Sequence, residues 1–353
     1  MIADYAILAV ISFATTLIST YFIMVIERKY GILSVDVHKP NKPLIPKIGG
    51  IALLINYALM ASILVLLKAL RFTQYPTILI PYIASVIISG ILGLIDDLRG
   101  ISPVLKILLF MLPGLPIVFL HAYNPRPYVP LIGTLRLTII YPLLILVLYT
   151  VLSNAFNMAD THNGTIFIIS FSLIAVVGAT TLMKGPKPLT GFYLFLTLSL
   201  ASLIAYAPFN MYPARIFNGN CGSHMIGALM ASLIIMSRRE FAALMALTPL
   251  VLNGFSILVS IKGLKSKESI IRPVITDEKG IMRANRSSKA PITLVQLLTI
   301  KQGLTELEVI KSYTIIMIFT ALISIALYYI LCLLYTSDAA DDGESVDLGG
   351  RRI

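Results

Sequence analysis

Long apolar segments recur along this chain from residue 5 to residue 334 and decide what it can fold into. Ten of them approach the roughly 20 residues that a helix needs to cross the hydrocarbon core of a bilayer. Hydrophobic residues make up 57% of the sequence and charged residues only 13%, whereas soluble domains carry about 25% charged residues. The segments span residues 5–26, 48–67, 77–95, 103–120, 137–152, 165–183, 189–207, 222–236, 240–261 and 313–334. The sequence therefore predicts an all-α fold, a polytopic membrane bundle of about ten transmembrane helices in residues 1–335.

Lysine and arginine are distributed unevenly between the connections of these helices. The odd-numbered connections hold 18 of them and the even-numbered ones 8, with ten in the ninth connection alone. Because basic residues concentrate in cytoplasmic loops, we expect the odd connections in the cytoplasm and both termini outside. This distribution predicts a multi-pass protein of the cell membrane.

The composition changes abruptly after Leu334. Residues 336–353 are rich in Asp, Ala and Gly, carry two arginines near their end, and resemble a translated adapter more than a membrane helix. We interpret them as a non-native or disordered tail and leave them out of the fold prediction. Without the tail's acidic residues the excess of Lys and Arg over Asp and Glu is larger, and such an excess suits an anionic substrate.

A polar segment, Ser153 to Gly164, separates two of the apolar ones. Asn154, Asn157 and Asp160 recur at every third residue, which on a helical end places them on one face. Such side chains at the mouth of a membrane span are costly unless they bind something. Hard oxygen donors suit Mg²⁺ or Mn²⁺, and carboxamides suit the hydroxyl and carbonyl groups of a sugar or base. The alternative is that these residues only cap helices and turns.

Two adjacent carboxylates, Asp96 and Asp97, end the third apolar segment. Adjacent carboxylates repel one another, so the pair needs a nearby cation, whether a divalent metal, a lysine or an arginine. Lys106 follows at the start of the fourth segment. A solvated helix end is the alternative interpretation of the pair.

Glycines mark the entry to the eighth segment, where Gly219 and Gly222 flank Asn220. Glycine at a helix N-terminus lets backbone N–H groups approach phosphate oxygens, which the helix dipole also favours. Gly222 is therefore a candidate phosphate contact. We expect His224, two residues further on, to pack within the bundle rather than bind a metal.

Two further loops are basic. The first, residues 36–50, combines three prolines with three lysines, and Lys42 and Lys47 are candidates for binding an anionic substrate. Simple anchoring by the positive-inside rule is the alternative for these lysines. The ninth loop, from Lys262 to Lys311, is too long for a plain connector, and loops of this length are often functional.

Taken together and in this order, the motifs resemble those of the polyprenyl-phosphate N-acetylhexosamine-1-phosphate transferase family, of the glycosyltransferase family 4 type. The resemblance covers nearly all of residues 1–335. Arg272-Pro273 and the segment from Ala290 to Leu294 are similar to the archaeal branch, which is related to the eukaryotic dolichyl-phosphate GlcNAc-1-phosphate transferases. The ninth loop lacks the histidine cluster typical of the muramoyl-pentapeptide enzymes, which argues against a peptidoglycan substrate.

The resemblance implies an enzyme that transfers N-acetylhexosamine-1-phosphate, in the first place GlcNAc-1-phosphate, from a UDP-sugar to a polyprenyl or dolichyl phosphate and releases UMP. This would be the first membrane step of lipid-linked glycan assembly. The implied partners are UDP-N-acetylhexosamine, the lipid and the membrane, with no nucleic acid, and the implied cofactor is Mg²⁺ or Mn²⁺. The active site would face the cytoplasm. The sugar epimer, the lipid's length and the oligomeric state stay open, a homodimer being one alternative.

The resemblance also implies roles for individual residues. Asp96 and Asp97 match the acidic pair thought to steer or deprotonate the acceptor phosphate, and Asp160 matches a catalytic position that is acidic in bacterial members. Lys106 matches a lysine that binds the pyrophosphate, and Asn157 matches a metal ligand. Asn154 and Asn163 match residues that contact the nucleotide or sugar. Arg272 matches an arginine of the ninth loop that contacts the diphosphate and sugar.

One position departs from the family pattern. Asn220 stands where the family has a metal-binding aspartate, so a metal held there would meet a carbonyl oxygen without charge. A catalytically weak or inactive homologue, acting as a partner or regulator of an active enzyme, is therefore an alternative function. A transporter is a further alternative, because polar residues and interrupted helices also build transport sites. The polar residues gather at one face and no inverted repeat is visible, which favours the enzyme.

Overall fold

The computed structural model describes the backbone of residues 2–70, 77–263 and 270–347, and the side chains of residues 4–70, 77–263 and 270–333. Within these ranges the apolar runs form helices, because a helix satisfies its own backbone N–H and C=O groups where water is absent. The helices are α1 (Ile2–Tyr30), α2 (Gly50–Ala69), α3 (Leu79–Arg99), α4 (Pro103–Leu109), α5 (Leu115–Phe119), α6 (Tyr141–Ala159), α7 (Thr165–Thr181), α8 (Phe192–Asn210), α9 (Gly219–Ser237), α10 (Glu240–Ala246), α11 (Thr248–Ser260), α12 (Leu294–Leu298) and α13 (Glu306–Asp347). The all-α prediction is confirmed for the bundle.

Short strands lie in three of the connections that the structure describes. The first and fourth connections each form a two-stranded antiparallel hairpin, and the ninth forms a three-stranded antiparallel sheet in the order β5-β6-β7. The strands are β1 (Leu33–Val35), β2 (Leu44–Pro46), β3 (Tyr128–Val129), β4 (Gly133–Thr134), β5 (Val274–Thr276), β6 (Ile281–Ala284) and β7 (Leu304–Thr305). The sequence analysis did not predict these strands.

Seven of the described helices are long and apolar enough to cross a membrane: α1, α2, α3, α6, α8, α9 and α13. The pair α10 and α11, bent by 62°, adds an eighth if it counts as one span. The two remaining predicted segments form shorter apolar helices, within 103–119 and 165–181. All ten predicted segments therefore lie on helices, while the count of ten membrane spans is not confirmed.

Helix α9 lies at the centre of the bundle, with 89% of an 18-residue stretch of it buried. Glycines let its backbone approach α3 and α6 closely. A Cβ atom at Gly93 of α3 would lie 2.5 Å from the carbonyl oxygen of Asn220, and one at Gly227 would lie 2.6 Å from that of Leu152 in α6. These contacts fix the N-terminus of α9 between the ends of α3 and α6.

His224 packs inside the bundle, as predicted. It is 0% exposed, and its ring stacks on Phe110 with the ring centroids 3.9 Å apart. Its backbone carbonyl accepts a hydrogen bond from the Ser89 hydroxyl at 2.9 Å, which ties α9 to α3. The histidine therefore belongs to the packing of the helices.

The ninth connection is a folded unit that shares a small core with the start of α13. The buried side chains of Val274, Met282 and Val295 form this core with Val309 and Tyr313 of α13, and it is separate from the main core of the bundle. Two hydrogen bonds attach the unit to α11, from the Leu294 N–H to Asn253 and from the Ile292 N–H to Ser260. The expectation that this loop is more than a connector agrees with this structure; residues 264–269 of it lie outside the described part.

Large aliphatic and aromatic side chains are exposed along the outer faces of α1 and α13, among them Val10, Phe22, Ile315 and Phe319. Exposed apolar surface of this extent suits a lipid environment and not water. Helix α13 continues to Asp347, and residues 348–353 lie outside the described part, so the proposed tail at 336–353 stays a prediction. The apolar helices identify a multi-pass membrane protein.

Candidate active site

Asp96, at the end of α3, pairs with the lysine that follows it in sequence. Its Oδ2 lies 2.5 Å from Nζ of Lys106, and its Oδ1 accepts the backbone N–H of Ile101 at 2.8 Å. The prediction that the acidic pair needs a nearby cation agrees with this ion pair. Asp96 is only 6% exposed, so the alternative of a solvated helix end is wrong for this residue.

Asp97 caps the N-terminus of α9. Its Oδ1 and Oδ2 accept the backbone N–H groups of Asn220 and Cys221, each at 2.9 Å. Gly219 has φ +65°, and a Cβ atom there would lie 2.7 Å from Asp97 Oδ2. The carboxylate thus occupies the position at the helix N-terminus that favours an anion, where both the N–H groups and the helix dipole stabilise it.

Gly222 serves helix packing in this structure. It contacts Gly50, the first residue of α2; a Cβ atom on Gly222 would lie 3.0 Å from the Gly50 Cα. Its own N–H donates to the Asn218 carbonyl at 3.1 Å. Asp97 accepts the two preceding N–H groups, and the predicted phosphate contact at Gly222 stays a prediction.

Asn157 and Asn220, the two predicted metal ligands, contact each other. Asn157 donates its Nδ2 to Asn220 Oδ1 at 2.7 Å and to the Ser223 hydroxyl at 2.8 Å. The two carboxamides therefore link the end of α6 to the first turn of α9, next to the Asp97 carboxylate. Ser223 was not predicted, although it lies one helical turn from Asn220.

Asp160 follows α6 and accepts two hydrogen bonds from Asn218 Nδ2, at 2.9 and 3.0 Å. The same Nδ2 lies 3.2 Å from Asn210 Oδ1, and Asn210 Nδ2 donates to the Ile216 carbonyl at 3.0 Å. This network joins the fifth and seventh connections. Sequence reasoning missed Asn210. The signal that could have identified it is a carboxamide side chain at the end of an apolar helix.

The donors at this position are of the type that binds Mg²⁺ or Mn²⁺. Carboxylate and carboxamide oxygens are the preferred ligands of both ions, and Asp97, Asn157 and Asn220 provide them side by side. Within the part of the chain that the structure describes, no three side chains of His, Cys, Asp or Glu converge into a metal site. The donor set therefore fits a divalent ion in chemistry, but it supplies little negative charge.

Three other predicted site residues lie on α6 or in the first connection. Asn154 donates its Nδ2 to the Thr150 carbonyl of its own helix at 2.8 Å. Lys47 is exposed and lies close enough to Asp97 to attract its carboxylate. Lys42 is exposed, with φ +41°, and its predicted role in binding substrate stays a prediction.

Asn163 is buried, 5% exposed, and belongs to a second polar cluster. Its Nδ2 donates to Asp36 Oδ2 at 3.1 Å and its backbone N–H to Glu306 Oε1 at 3.0 Å. Lys39 completes the cluster, because Nζ donates to the same Asp36 oxygen at 2.9 Å and to Glu306 Oε2 at 2.6 Å. The predicted substrate contact of Asn163 stays a prediction, since its amide is engaged with protein groups here.

Two histidines, the buried His162 and the half-buried His38, stack beside this second cluster. The rings of His38 and His162 lie 4.6 Å apart with an interplanar angle of 16°. Burial lowers the pKa of His162 well below its ordinary value, and the charges of His38 and Lys39 lower it further. Burial also lowers the pKa of His38, against the opposing attraction of Glu306 and other carboxylates. Both rings are therefore neutral at neutral pH.

Arg272 is exposed at the start of the sheet in the ninth connection. It lies close enough to His38 for its charge to lower that pKa, which places it near the first connection. Its predicted contact with a diphosphate and sugar stays a prediction.

The described side chains of the first, third, fifth, seventh and ninth connections thus meet at one end of the bundle. Two clusters are formed there, one around the N-terminus of α9 and one around Lys39. Sequence reasoning predicted that these connections converge but did not identify Asp36, Lys39 or Glu306, each of which has the sequence context of an ordinary loop charge.

Comparison with known proteins places this arrangement in a family. The sequence pattern described as "Glycosyl transferase family 4" matches residues 79–238. A protein of Saccharolobus solfataricus named "Putative UDP-N-acetylglucosamine--dolichyl-phosphate N-acetylglucosaminephosphotransferase" is 31% identical over 227 residues, which are 63% of this chain and 68% of that protein. The protein of the same name from Sulfolobus acidocaldarius is 27% identical over 64% of this chain and 68% of its own length.

A bacterial relative has a different substrate in its name. The phospho-N-acetylmuramoyl-pentapeptide-transferase of Streptococcus pyogenes is 27% identical over 231 residues, covering 62% of this chain and 67% of the relative. The resemblance inferred from the sequence motifs is thereby confirmed. The chain belongs to glycosyl transferase family 4.

Proposed function

We propose that this protein transfers N-acetylglucosamine-1-phosphate from UDP-N-acetylglucosamine to a polyprenyl phosphate, with dolichyl phosphate as the first choice, and releases UMP. The archaeal relatives bear names for this reaction. The observation that carries the proposal is the convergence of the Asp96–Lys106 ion pair, Asp97 and the Asn157–Asn220 contact at the N-terminus of α9.

The reaction joins two phosphates. An oxygen of the lipid phosphate forms a bond to the β-phosphorus of the UDP-sugar, the bond from that phosphorus to the bridging oxygen breaks, and UMP leaves with the electron pair. Because both reactants are anions, catalysis depends on aligning them and screening their charge. Lys106, held by Asp96, is a fixed cation for this purpose, and Lys47 adds charge at the entrance.

The two aspartates have different positions, which supports different roles. Asp96 orients Lys106, while Asp97 faces the first turn of α9, beside the two carboxamides. We assign Asp97 to the acceptor phosphate, whose proton it would accept if the phosphate arrives protonated. Asp160, held by Asn218, would lie on the side of the nucleotide sugar.

We further propose that Mg²⁺ or Mn²⁺ assists the reaction, held by Asn157 and Asn220 with Asp97 alongside. When bound, such an ion neutralises charge on the diphosphate. Low charge in the donor set predicts weak binding of the ion, since the carboxamides contribute no charge. The same low charge supports the alternative function, a weak or inactive homologue that acts as a partner of an active enzyme.

We propose that the site faces the cytoplasm, because it is built from the odd-numbered connections, which together hold 18 Lys and Arg residues against 8 in the even-numbered ones. A homodimer stays one alternative for the assembly.

The deciding experiment is release of UMP from UDP-N-acetylglucosamine by the purified protein with Mg²⁺, with and without dolichyl phosphate. Release that requires the lipid and is lost in Asp97→Asn supports the enzyme; no release at any metal concentration supports the inactive homologue.

A further inference from the structure

Asp36, Lys39, Asn163 and Glu306 form a closed ring of hydrogen bonds, which we call the loop ring. Asp36 and Lys39 belong to the first connection, Asn163 to the fifth, and Glu306 begins α13, where the ninth connection ends. Going round the ring, Asn163 Nδ2 donates to Asp36, Lys39 donates to Asp36 and to Glu306, and the Asn163 backbone N–H donates to Glu306. Three of these hydrogen bonds join connections that are far apart in sequence, and the fourth, from Lys39 to Asp36, lies within the first connection.

The loop ring is shielded from solvent. The side chains of Asp36 and Glu306 are 2% and 3% exposed, and that of Lys39 is 14% exposed. Burial by itself would lower the pKa of the Lys39 ammonium, but its hydrogen bonds to Glu306 and Asp36 raise that pKa above its ordinary value. Two buried carboxylates therefore share one cation, so removal of Lys39 leaves both without it, whereas removal of Glu306 leaves Lys39 paired with Asp36 alone and breaks the link to the ninth connection.

Lys39 also reaches the seventh connection. Its Nζ lies 4.4 Å from the ring centroid of Tyr212, in the geometry of a cation–π contact. The hairpin of the ninth connection lies on the first, because a Cβ atom at Gly280 would be 3.0 Å from Pro40. Lys39 thus contacts the first, seventh and ninth connections, and Asp36 and Glu306 link it to Asn163 of the fifth.

The loop ring lies on one side of the candidate active site. The fifth connection, which it holds, begins at Asp160, and the ninth connection, which it also holds, carries Arg272. Asp96 and Lys106 have partners of their own in α3 and α4 and do not depend on the ring. Loss of the ring should therefore displace the groups assigned to the nucleotide sugar and spare those assigned to the lipid phosphate.

We propose that Lys39 and Glu306 are positioning residues for the UDP-sugar half of the active site. This inference rests on the proposed function. They act through the fifth and ninth connections, which they hold together, and not by touching the reacting phosphates. Since the groups that are displaced bind the donor in its ground state as well as in the transition state, the effect falls on KM and not on kcat.

The experiment compares steady-state kinetics of the full-length protein and its Lys39→Met and Glu306→Gln variants, varying one substrate at a time. We expect KM for UDP-N-acetylglucosamine to rise about tenfold or more, the factor given by about 1.4 kcal/mol of lost binding. We expect kcat and KM for dolichyl phosphate to stay within about threefold of the wild type. Lys39→Arg, which keeps a cation able to bridge two carboxylates, should have a KM for UDP-N-acetylglucosamine close to that of the wild type.

Matched controls and a double variant complete the test. Glu278→Gln and Lys279→Met make the same chemical changes at exposed positions of the ninth connection and should leave KM unchanged. The double variant Lys39→Met/Glu306→Gln should be no worse than the poorer single one, because both changes break one unit. Should Lys39→Met fail to fold, Glu306→Asp keeps the charge, shortens the reach and must still raise KM for the donor.

Two results would overturn the inference: folded variants with a lower melting temperature but unchanged KM for the donor, or an equal loss for both substrates. A wild-type protein that releases no UMP would instead refute the proposed function. In that case, the affinity of the same variants for UDP-N-acetylglucosamine is measured by calorimetry and compared with that of the wild type. Unchanged affinity in the variants refutes the role of the loop ring as well.

Discussion

Asn157 and Asn220 share a hydrogen bond of 2.7 Å across the gap between the end of α6 and the first turn of α9. Two neutral side chains thus satisfy each other where a divalent ion would need oxygen ligands. An amide that donates to its neighbour must turn its oxygen towards an ion before it can bind one, and this contact opposes that change. The position of Asn220 therefore controls how strongly this site can hold a metal.

Replacing Asn220 with aspartate should tighten metal binding. An added anion attracts a divalent ion in a partly desolvated site, and we expect a gain of more than about 1 kcal/mol, or roughly fivefold in affinity. The measurement is the affinity for Mn²⁺ by electron paramagnetic resonance of the free ion, together with the Mg²⁺ concentration at half-maximal UMP release. Asn124→Asp, the same change in the fourth connection and outside the candidate site, is the control. Unchanged affinity in Asn220→Asp would place residue 220 outside the ligand set.

Replacing either aspartate of the acidic pair should lower turnover by roughly a hundredfold or more, because each positions or accepts charge at the reacting phosphates. The two variants should differ in stability. Asp97→Asn removes an ionised cap from α9 and should cost about 1 kcal/mol or more of unfolding free energy. Asp96→Asn leaves the half-buried ammonium group of Lys106 without its carboxylate partner. Turnover and thermal unfolding in detergent are measured side by side. Wild-type turnover in both variants would remove the pair from the mechanism.

Cysteines at Lys42 and Lys279, in the first and ninth connections, should resist a membrane-impermeant thiol reagent added to intact cells. The physical reason is the concentration of basic residues in these connections, which favours the cytoplasm. A cysteine at Arg136, which is exposed in an even-numbered connection, should react from outside and serves as the positive control. The reverse pattern of labelling would invert the topology and move the candidate site to the opposite face.

Acid should destabilise the folded protein through the stacked histidines. Burial keeps the folded-state pKa of His162 well below 6.5, so as the pH falls through 6.5 the unfolded chain binds a proton that the folded chain does not. The stability is fully present above this pH and decreases below it. His162→Phe, which keeps an aromatic ring against His38, should flatten the fall in melting temperature between about pH 7 and about pH 5.

The exposed His121 provides the control for this comparison. His121→Gln should retain the slope of the wild type, since it removes an exposed histidine and leaves the stacked pair intact. A slope in His162→Phe equal to that of the wild type would show that the stacked pair does not set the acid response.

The bundle and the first cluster were predictable because their signals are local. Apolar runs of membrane length determine the helices, and Lys106 follows Asp96 across one short turn, so the ion pair could be anticipated from sequence spacing. Asn154 illustrates the limit of the same reasoning: periodicity placed it on the face of Asn157, but its amide donates to the Thr150 carbonyl of its own helix.

The loop ring could not be predicted, because its partners are distant in sequence. Asn163 and Glu306 are separated by 143 positions, and a glutamate at a helix start has the ordinary explanation of favourable interaction with the helix dipole. The packing role of Gly222 escaped prediction for a related reason. A glycine that permits close approach does not indicate whether a ligand or another backbone approaches, and here Gly50 does.

The core under the ninth connection has a consequence for how relatives of this protein can diversify. The family pattern matches residues 79–238 and stops before this unit, whose core is completed by Val309 and Tyr313 of α13. The surface of the unit can change freely, whereas exchange of the whole unit between relatives must keep the part of α13 on which it packs. Chimaeras that exchange residues 270–313 as one piece, so that Val309 and Tyr313 stay with their partners, are therefore a practical route to proteins that keep the rest of the membrane scaffold.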